Sequence, residues 1–253
     1  MMRERLDRTI AELEPVIDRA RQFSGWSFGD VRVKHLDGPL PWDYEAIAHQ
    51  HASRAASIVD LGTGGGEVLS RVIAGLDARV IASEEWHINA PVAAARLRPQ
   101  GVGVIRADSL RLPFRDAAFD LVLDRHEALQ PSEIARVLGA GGRIVTQQCG
   151  PDDWPEVGRF LDKVPFPDHF SIYQRGLREA GLVVEETRWH ERRVAFESLG
   201  DLVYMLLLMP WSVPGFDPVR DVQTLVALED GLRTDDGIVL TEMRYLIVAA
   251  KPR

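Results

Sequence analysis

The chain predicts an α/β protein built on a doubly wound, mostly parallel sheet. Three observations predict it. From residue 57 onward, short apolar strand-like runs alternate with helix-like segments. The first run ends in a glycine-rich turn, IVDLGTGGGE at 58–67. Hydrophobic residues make up 45% and charged residues 27%, the balance of an ordinary globular protein. Apolar strands that alternate with helices are buried on both faces, which is the mark of parallel pairing.

Residues 1–23 read as a helix, because Leu6, Ile10, Leu13, Ile17 and Ala20 recur at three- and four-residue intervals. Gly25 and Gly29 break it, Pro39 and Pro41 form a second stop, and 42–56 reads as a short helix leading into the first strand. Strands are expected at 57–60, 79–83, 103–107, 119–123 and 142–148, with helices at 67–76, 89–97 and 131–138 between them. Further helices are expected at 153–161 and 169–180, stopped by Gly181 before a strand at 182–189. Residues 198–232 read as an insertion of two helical stretches around Pro210–Gly215, and a last strand spans 243–250. There is no internal repeat and no low-complexity segment.

The glycine turn is the chemical centre of this pattern. Gly62, Gly64 and Gly66 remove the Cβ atoms that would hold a ligand off the backbone, and they reach angles closed to other residues. The helix that follows offers unpaired N–H groups and the positive end of its dipole. A strand, glycine turn and helix form a nucleotide-type pocket at the carboxyl end of a parallel sheet. A dinucleotide fingerprint, G-x-G-x-x-G/A, needs a small residue where this chain has Glu67. The run reads instead as D-x-G-x-G-x-G, with Asp60 two residues before Gly62.

Acids recur at the later strand ends. Glu84 follows the second strand, at a place where a bidentate carboxylate can accept from ribose hydroxyls, and Glu85 and Trp86 come next. Trp86 either flanks a base or packs locally. Asp108 and Ser109 follow the third strand. Asp108 is placed to accept from an adenine amino group or to cap a turn. Residues 107–122 then read ADSLRLPFRDAAFDLV and 133–145 read EIARVLGAGGRIV.

These ordered runs resemble the S-adenosylmethionine (SAM)-dependent methyltransferases of the class I, Rossmann-like kind, with a type 11-like domain. The family's "GDAxxLPFxDxSFDLV" and "EIxRVLKPGGxLV" lie over them, Ala140 standing where the second has Pro. The resemblance covers about 57–148. It implies a seven-stranded sheet with an antiparallel last strand, and cofactor contacts from Asp60, Gly62, Thr63, Gly64, Glu84, Asp108 and Ser109, with Glu85 and Trp86 at the rim. It also implies that the fourth strand delivers Asp124, Arg125 and His126 beside the methyl group. Asp124 is then expected to line the cofactor pocket or assist catalysis, and Arg125 to hold the methionine carboxylate or pair with an acid. His126 is the candidate base, since an unperturbed imidazole is partly neutral near pH 7. A base is needed only when the acceptor arrives protonated.

Other features narrow the acceptor. Net charge is −8 and only three of the 30 basic residues are lysines, which works against nucleic acid. No [DN]-P-P-[YF] run follows the fourth strand, which counts against amino-purine and glutamine N-methylation. Cys149 is the one cysteine, so there is no internal disulfide, and a catalytic thiol is disfavoured. His49 and His51 beside Asp43 and Glu45 lack further spaced ligands, so no metal is expected. No run reaches the length of a membrane span or has the form of a signal peptide, giving an expectation of a cytoplasmic protein without membrane partners.

Aromatic and Met residues in 26–44, 165–173 and 199–216 suit a flat or apolar small-molecule acceptor. The apolar helix within 199–209 reads equally as packed core or as a dimer face, leaving a homodimer open. The expected architecture is one domain over 1–253: a helical cap at 1–56, a cofactor-binding core at 57–150 and a C-terminal half at 151–253 containing the insertion at 198–232. The expected function is methyl transfer from SAM, leaving S-adenosylhomocysteine (SAH), to a small molecule. An rRNA or tRNA base methyltransferase, a non-catalytic SAM- or SAH-binding protein and, third, a nicotinamide-dependent oxidoreductase are the rival readings.

Overall fold

The computed structural model describes residues 1–253. The first strand of the glycine-turn unit, β2 (Ser57–Leu61), is buried from its second residue to its end. It pairs in parallel with β3 (Arg79–Ser83) on one side and β5 (Phe119–Arg125) on the other. β4 (Gly103–Ile105) extends the sheet beyond β3, and β6 (Leu138–Cys149) extends it beyond β5, both in parallel. Because β2 sends its chain to β3 while β5 lies on its other flank, the strand order reverses between β2 and β5. That reversal opens a crevice above the carboxyl ends of these strands.

The remaining long strands, β7 (Val183–Phe196) and β9 (Gly237–Ala250), pair with each other antiparallel. β9 also lies antiparallel against β6, which places the last strand between two earlier ones as expected. The sheet has nine strands where seven were expected. Both long strands run well past the core sheet, and backbone groups so extended need partners. Three-residue β1 (Val33–His35) covers the outer edge of β7, and two-residue β8 (Arg233–Thr234) turns back on the start of β9. Neither is long enough to show a two-residue period in sequence.

Helices cover both faces. On one side α2 (Tyr44–Ala52), α3 (Glu67–Val72) and α4 (Asn89–Leu97) bury Ala48, Leu69, Val72 and Leu97 against β2 and β5. On the other, α5 (Pro131–Val137) and α6 (His169–Glu179) bury Ile134, Val137 and Leu177. Asp43 and Asp168 start α2 and α6 by accepting from backbone N–H groups three residues on, each at 3.1 Å.

The extensions of β7 and β9 carry a third apolar cluster. There α1 (Met2–Arg21), α7 (Leu199–Leu208) and α8 (Val222–Leu232) meet through Leu13, Leu202, Leu206, Leu225 and Leu228. The apolar residues of α7 are thus packed core, and the N-terminal cap and the insertion are partners. The helix expected at 153–161 is a shorter 3₁₀ turn, Pro155–Arg159, with Glu156 bonded to the Thr241 backbone and hydroxyl. No helix is long and apolar enough to cross a membrane.

Candidate functional site

The crevice at the reversal point is built on the turn after β2. Gly62 and Gly64 have φ of +58° and +62°, left-handed values that cost a side-chain-bearing residue about 1–2 kcal/mol. Each also has its Cβ space taken. A Cβ at Gly62 would meet the Glu127 side chain, with Cγ at 2.6 Å, and one at Gly64 would lie 2.6 Å from Trp26 Cβ. The loop after α1 is therefore docked on the turn itself, where Gly25 N also donates to the buried Asn89 Oδ1 at 2.7 Å.

Three buried or part-buried acids surround the turn. Glu84 accepts from Gly64 N at 2.7 Å and Trp86 N at 2.8 Å, tying the end of β3 to the turn. Two of its roughly four lone-pair sites stay free for a ligand. Burial raises its pKa, and Glu85 adds to that. Asp60 is pushed up to about 7 by burial, with the Glu84 charge adding to it. Glu127 is likewise pushed up to about 7 by burial, reinforced by Glu84, Glu85 and Asp108. Sequence reading missed Glu127. It follows a strand end, as many solvated acids do, and only the fold turns it back over Gly62.

Asp124 corrects an expectation. Its carboxylate is fully buried, accepting from Thr146 Oγ1 at 3.0 Å, Gln148 Nε2 at 3.0 Å and Glu127 N at 3.2 Å. With no exposed atom, the Asp124 side chain does not open onto the crevice. Its hydrogen bonds join the ends of β5 and β6. Burial, with Glu127 and Asp60 nearby, holds its pKa well above the usual range.

The other expected residues fall around the crevice. Thr63 places a buried Oγ1 on the turn beside Asp60, where it favours the charged carboxylate and partly offsets the effect of burial. Asp108 is exposed. Its Oδ1 accepts from Leu110 N at 2.7 Å, so the turn-capping alternative holds, while Oδ2 stays free. Ser109 beside it is buried, and Glu85 is exposed. Trp86 is part of an aromatic cluster rather than alone: its ring lies edge-on to Trp26 at 6.3 Å, and Trp26 stacks on Trp211 at 6.4 Å. The cap and the insertion thus meet at the crevice rim. The left-handed turn, half-used Glu84 and free Asp108 oxygen fit an adenosine-type cofactor carrying positive charge.

His126 follows β5 with φ of +66°, rare for a residue with a side chain, held by its N–H donating to Gln147 O at 2.8 Å. Burial, then Arg125 and Arg244, keep its imidazole pKa well below the ordinary value. Trp42 Nε1 donates to Gln147 Oε1 at 2.8 Å, which turns the Gln147 amide nitrogen toward His126 Nε2, 3.4 Å away. His126 Nδ1 faces Cys149 Sγ at 3.6 Å. Burial pushes the Cys149 thiol up to about 12, so it stays protonated and is no nucleophile.

Next to these, at the ends of β5 and β6, lies a cavity of about 680 Å³ lined by Trp42, Tyr44, Arg125, Gln147 and Arg192 among others. Tyr44 donates its hydroxyl to Asp124 O at 3.1 Å. Of the three segments expected around an acceptor, only residues before and within α2 line this cavity; 165–173 and 199–216 do not.

Residues 59–146 match the sequence profile of a methyltransferase-domain family. No protein of curated function matches the chain by sequence. Among solved structures, the fold is similar to that of a provisionally assigned methyltransferase from Bacillus halodurans C-125. That pair is 21% identical with a TM-score of 0.62, covering 83% of this chain and 99% of the other. A protein of unknown function from Deinococcus radiodurans R1 is 16% identical with a TM-score of 0.61, at 87% and 90% coverage. Geranyl diphosphate C-methyltransferase from Streptomyces coelicolor A3(2), solved with Mg²⁺, geranyl diphosphate and SAH, is 17% identical with a TM-score of 0.50, at 83% and 78% coverage.

Proposed function

Since the chain carries a class I, Rossmann-like methyltransferase domain over residues 59–146, we propose that it transfers a methyl group from SAM to a small-molecule acceptor. One observation carries this reading: Asp60, Glu84 and Glu127 crowd one glycine turn, all with raised pKa values. Carboxylates placed so close together gain from a cationic ligand and repel a diphosphate. The same field opposes nucleic acid, in line with the net charge of −8. The small-molecule acceptor draws further support from the geranyl diphosphate enzyme of similar fold.

Bound SAM would supply an activated methyl group on a sulfonium, with a neutral thioether as leaving group. The residues then have to bind, orient and exclude water. In this reading Glu84 takes the ribose hydroxyls, Asp108 and Ser109 the adenine edge, the Gly62–Gly64 backbone and Thr63 the amino-acid portion, and Glu127 its ammonium. Trp86 and Trp26 close the rim against water. Tyr44 stays protonated, because burial raises its pKa well above 10, and it braces the strand end through Asp124 O. For an acceptor that arrives protonated, His126 is the proposed base. It is held neutral, and its contact with Gln147 is long.

Thermal unfolding with each nucleotide tests the reading. SAM at 100 times its dissociation constant stabilises by about 2.7 kcal/mol, while NAD leaves the midpoint unchanged. Labelled SAM incubated with fractionated extract should then label small metabolites. A shift with NAD alone, or label confined to RNA, overturns the proposal.

A further inference from the structure

The cavity beside Asp124 holds one cation without a partner. Apart from the His35 imidazole, which burial and Arg192 push toward its neutral form, its other polar groups are spent inside the molecule. Arg192 donates to Glu242 through Nε at 2.7 Å and Nη2 at 2.6 Å, and to Gly38 O at 3.3 Å. Glu45 accepts from Arg71 Nε at 2.7 Å, and Asp43 caps α2. Gln147 and Tyr44 are occupied by Trp42 and the Asp124 carbonyl. Of the arginines and carboxylates in this lining, Arg125 alone makes no side-chain hydrogen bond or ion pair. It is exposed, lines the cavity, and directly follows Asp124, the strand partner of Leu61 at the start of the glycine turn. Pro39, Leu40 and Pro41 form an apolar wall of the same cavity.

A free guanidinium offers a planar fork that matches a carboxylate in two parallel hydrogen bonds. Set against an apolar wall, it selects molecules with an anionic end and an apolar body. We propose that this cavity is the acceptor subsite and that the acceptor is a small carboxylate, held at Arg125 with its apolar part against Pro39–Pro41. The proposal rests on the methyl-transfer reading and adds the substrate class. It also divides the charges of the two ligands: the acids take the cationic donor, and the arginine takes the anionic acceptor. Under it, Arg125 does not hold the donor's own carboxylate.

Calorimetric titration of the full chain with benzoate and its neutral counterpart benzamide, in the presence of SAH, tests the assignment, alongside separate SAH titrations. Benzoate should bind at least about tenfold more tightly than benzamide. Arg125→Gln should weaken benzoate by about tenfold or more, Arg125→Lys by less, and SAH affinity should change by under about twofold in both. Equal binding of the two probes, no benzoate binding, or benzoate unaffected by Arg125→Gln overturns the proposal. A tenfold loss of SAH affinity in Arg125→Gln does so too, since the guanidinium would then serve the donor. If the wild-type chain binds no SAH, the methyl-transfer reading falls by itself. The benzoate comparison in SAH-free protein then decides the cavity alone, loss in Arg125→Gln supporting it and no loss overturning it.

Discussion

The Glu84 carboxylate accepts from the Gly64 amide at 2.7 Å, joining the end of β3 to the turn after β2. It holds the turn in shape and keeps two lone-pair sites free for a ligand. Replacing Glu84 by Ala leaves the Gly64 and Trp86 N–H groups without their acceptor, at a cost of about 1–3 kcal/mol in unfolding free energy. SAM affinity should fall by about tenfold or more, since hydrogen bonds to a charged group are lost with the carboxylate. Urea unfolding and calorimetry measure the two effects. Loss of stability with full SAM affinity would make Glu84 a purely structural latch.

Asp60 and Glu127 titrate near 7 in the folded chain, against 3.8 and 4.5 for the free side chains. Between about pH 4 and 7 the folded state therefore keeps protons that the unfolded state has released. Stability without ligand should fall as pH rises through this window and level off above it. The limit is about 4 kcal/mol per group, at about 1.4 kcal/mol for each pH unit between the unfolded and folded titration points. Asp60→Asn should flatten the profile and stabilise the ligand-free chain at pH 8. An unchanged slope in urea titrations from pH 5 to 8 would refute the assignment.

The same ionisation should show in ligand choice. As the acids lose their protons between pH 6 and 8, affinity for cationic SAM should rise by about three- to tenfold more than affinity for SAH, which lacks the sulfonium charge. Parallel titrations of the two ligands across this range check it. A constant ratio would mean that the carboxylates do not face the sulfonium portion.

His126 and Asp124 separate a base from a positioning group. His126→Ala should leave SAM binding within about twofold and lower turnover of a protonated acceptor by about 10²-fold or more. Asp124→Asn should act through stability and through a raised KM for both ligands. The reason is that one carboxylate oxygen becomes an NH2 group, which meets either the Glu127 N–H or the Thr146 and Gln148 donors, depending on how the amide is turned. Unaffected turnover in His126→Ala would leave that residue as a wall of the site. Steady-state kinetics with each ligand varied in turn distinguishes these outcomes.

The sequence by itself determined the sheet class, the glycine turn and the run of acids at strand ends, because these follow from local rules. Alternating apolar segments dictate burial on both faces, and Gly62 and Gly64 are spaced for a turn that other residues resist. Helix 89–97 and strand 79–83 stand in the structure with the bounds that their periodicity sets. Tertiary structure alone decided which acids face the crevice and which face the core. Asp124 and Glu127 lie three residues apart on one strand end, yet one is sealed among Thr146 and Gln148 while the other folds back over Gly62. Only the pairing of distant segments placed Trp26 on Gly64 and Arg125 across from Pro39–Pro41. The residues involved are separated by 38 or more positions, and no periodicity encodes contact over such a span.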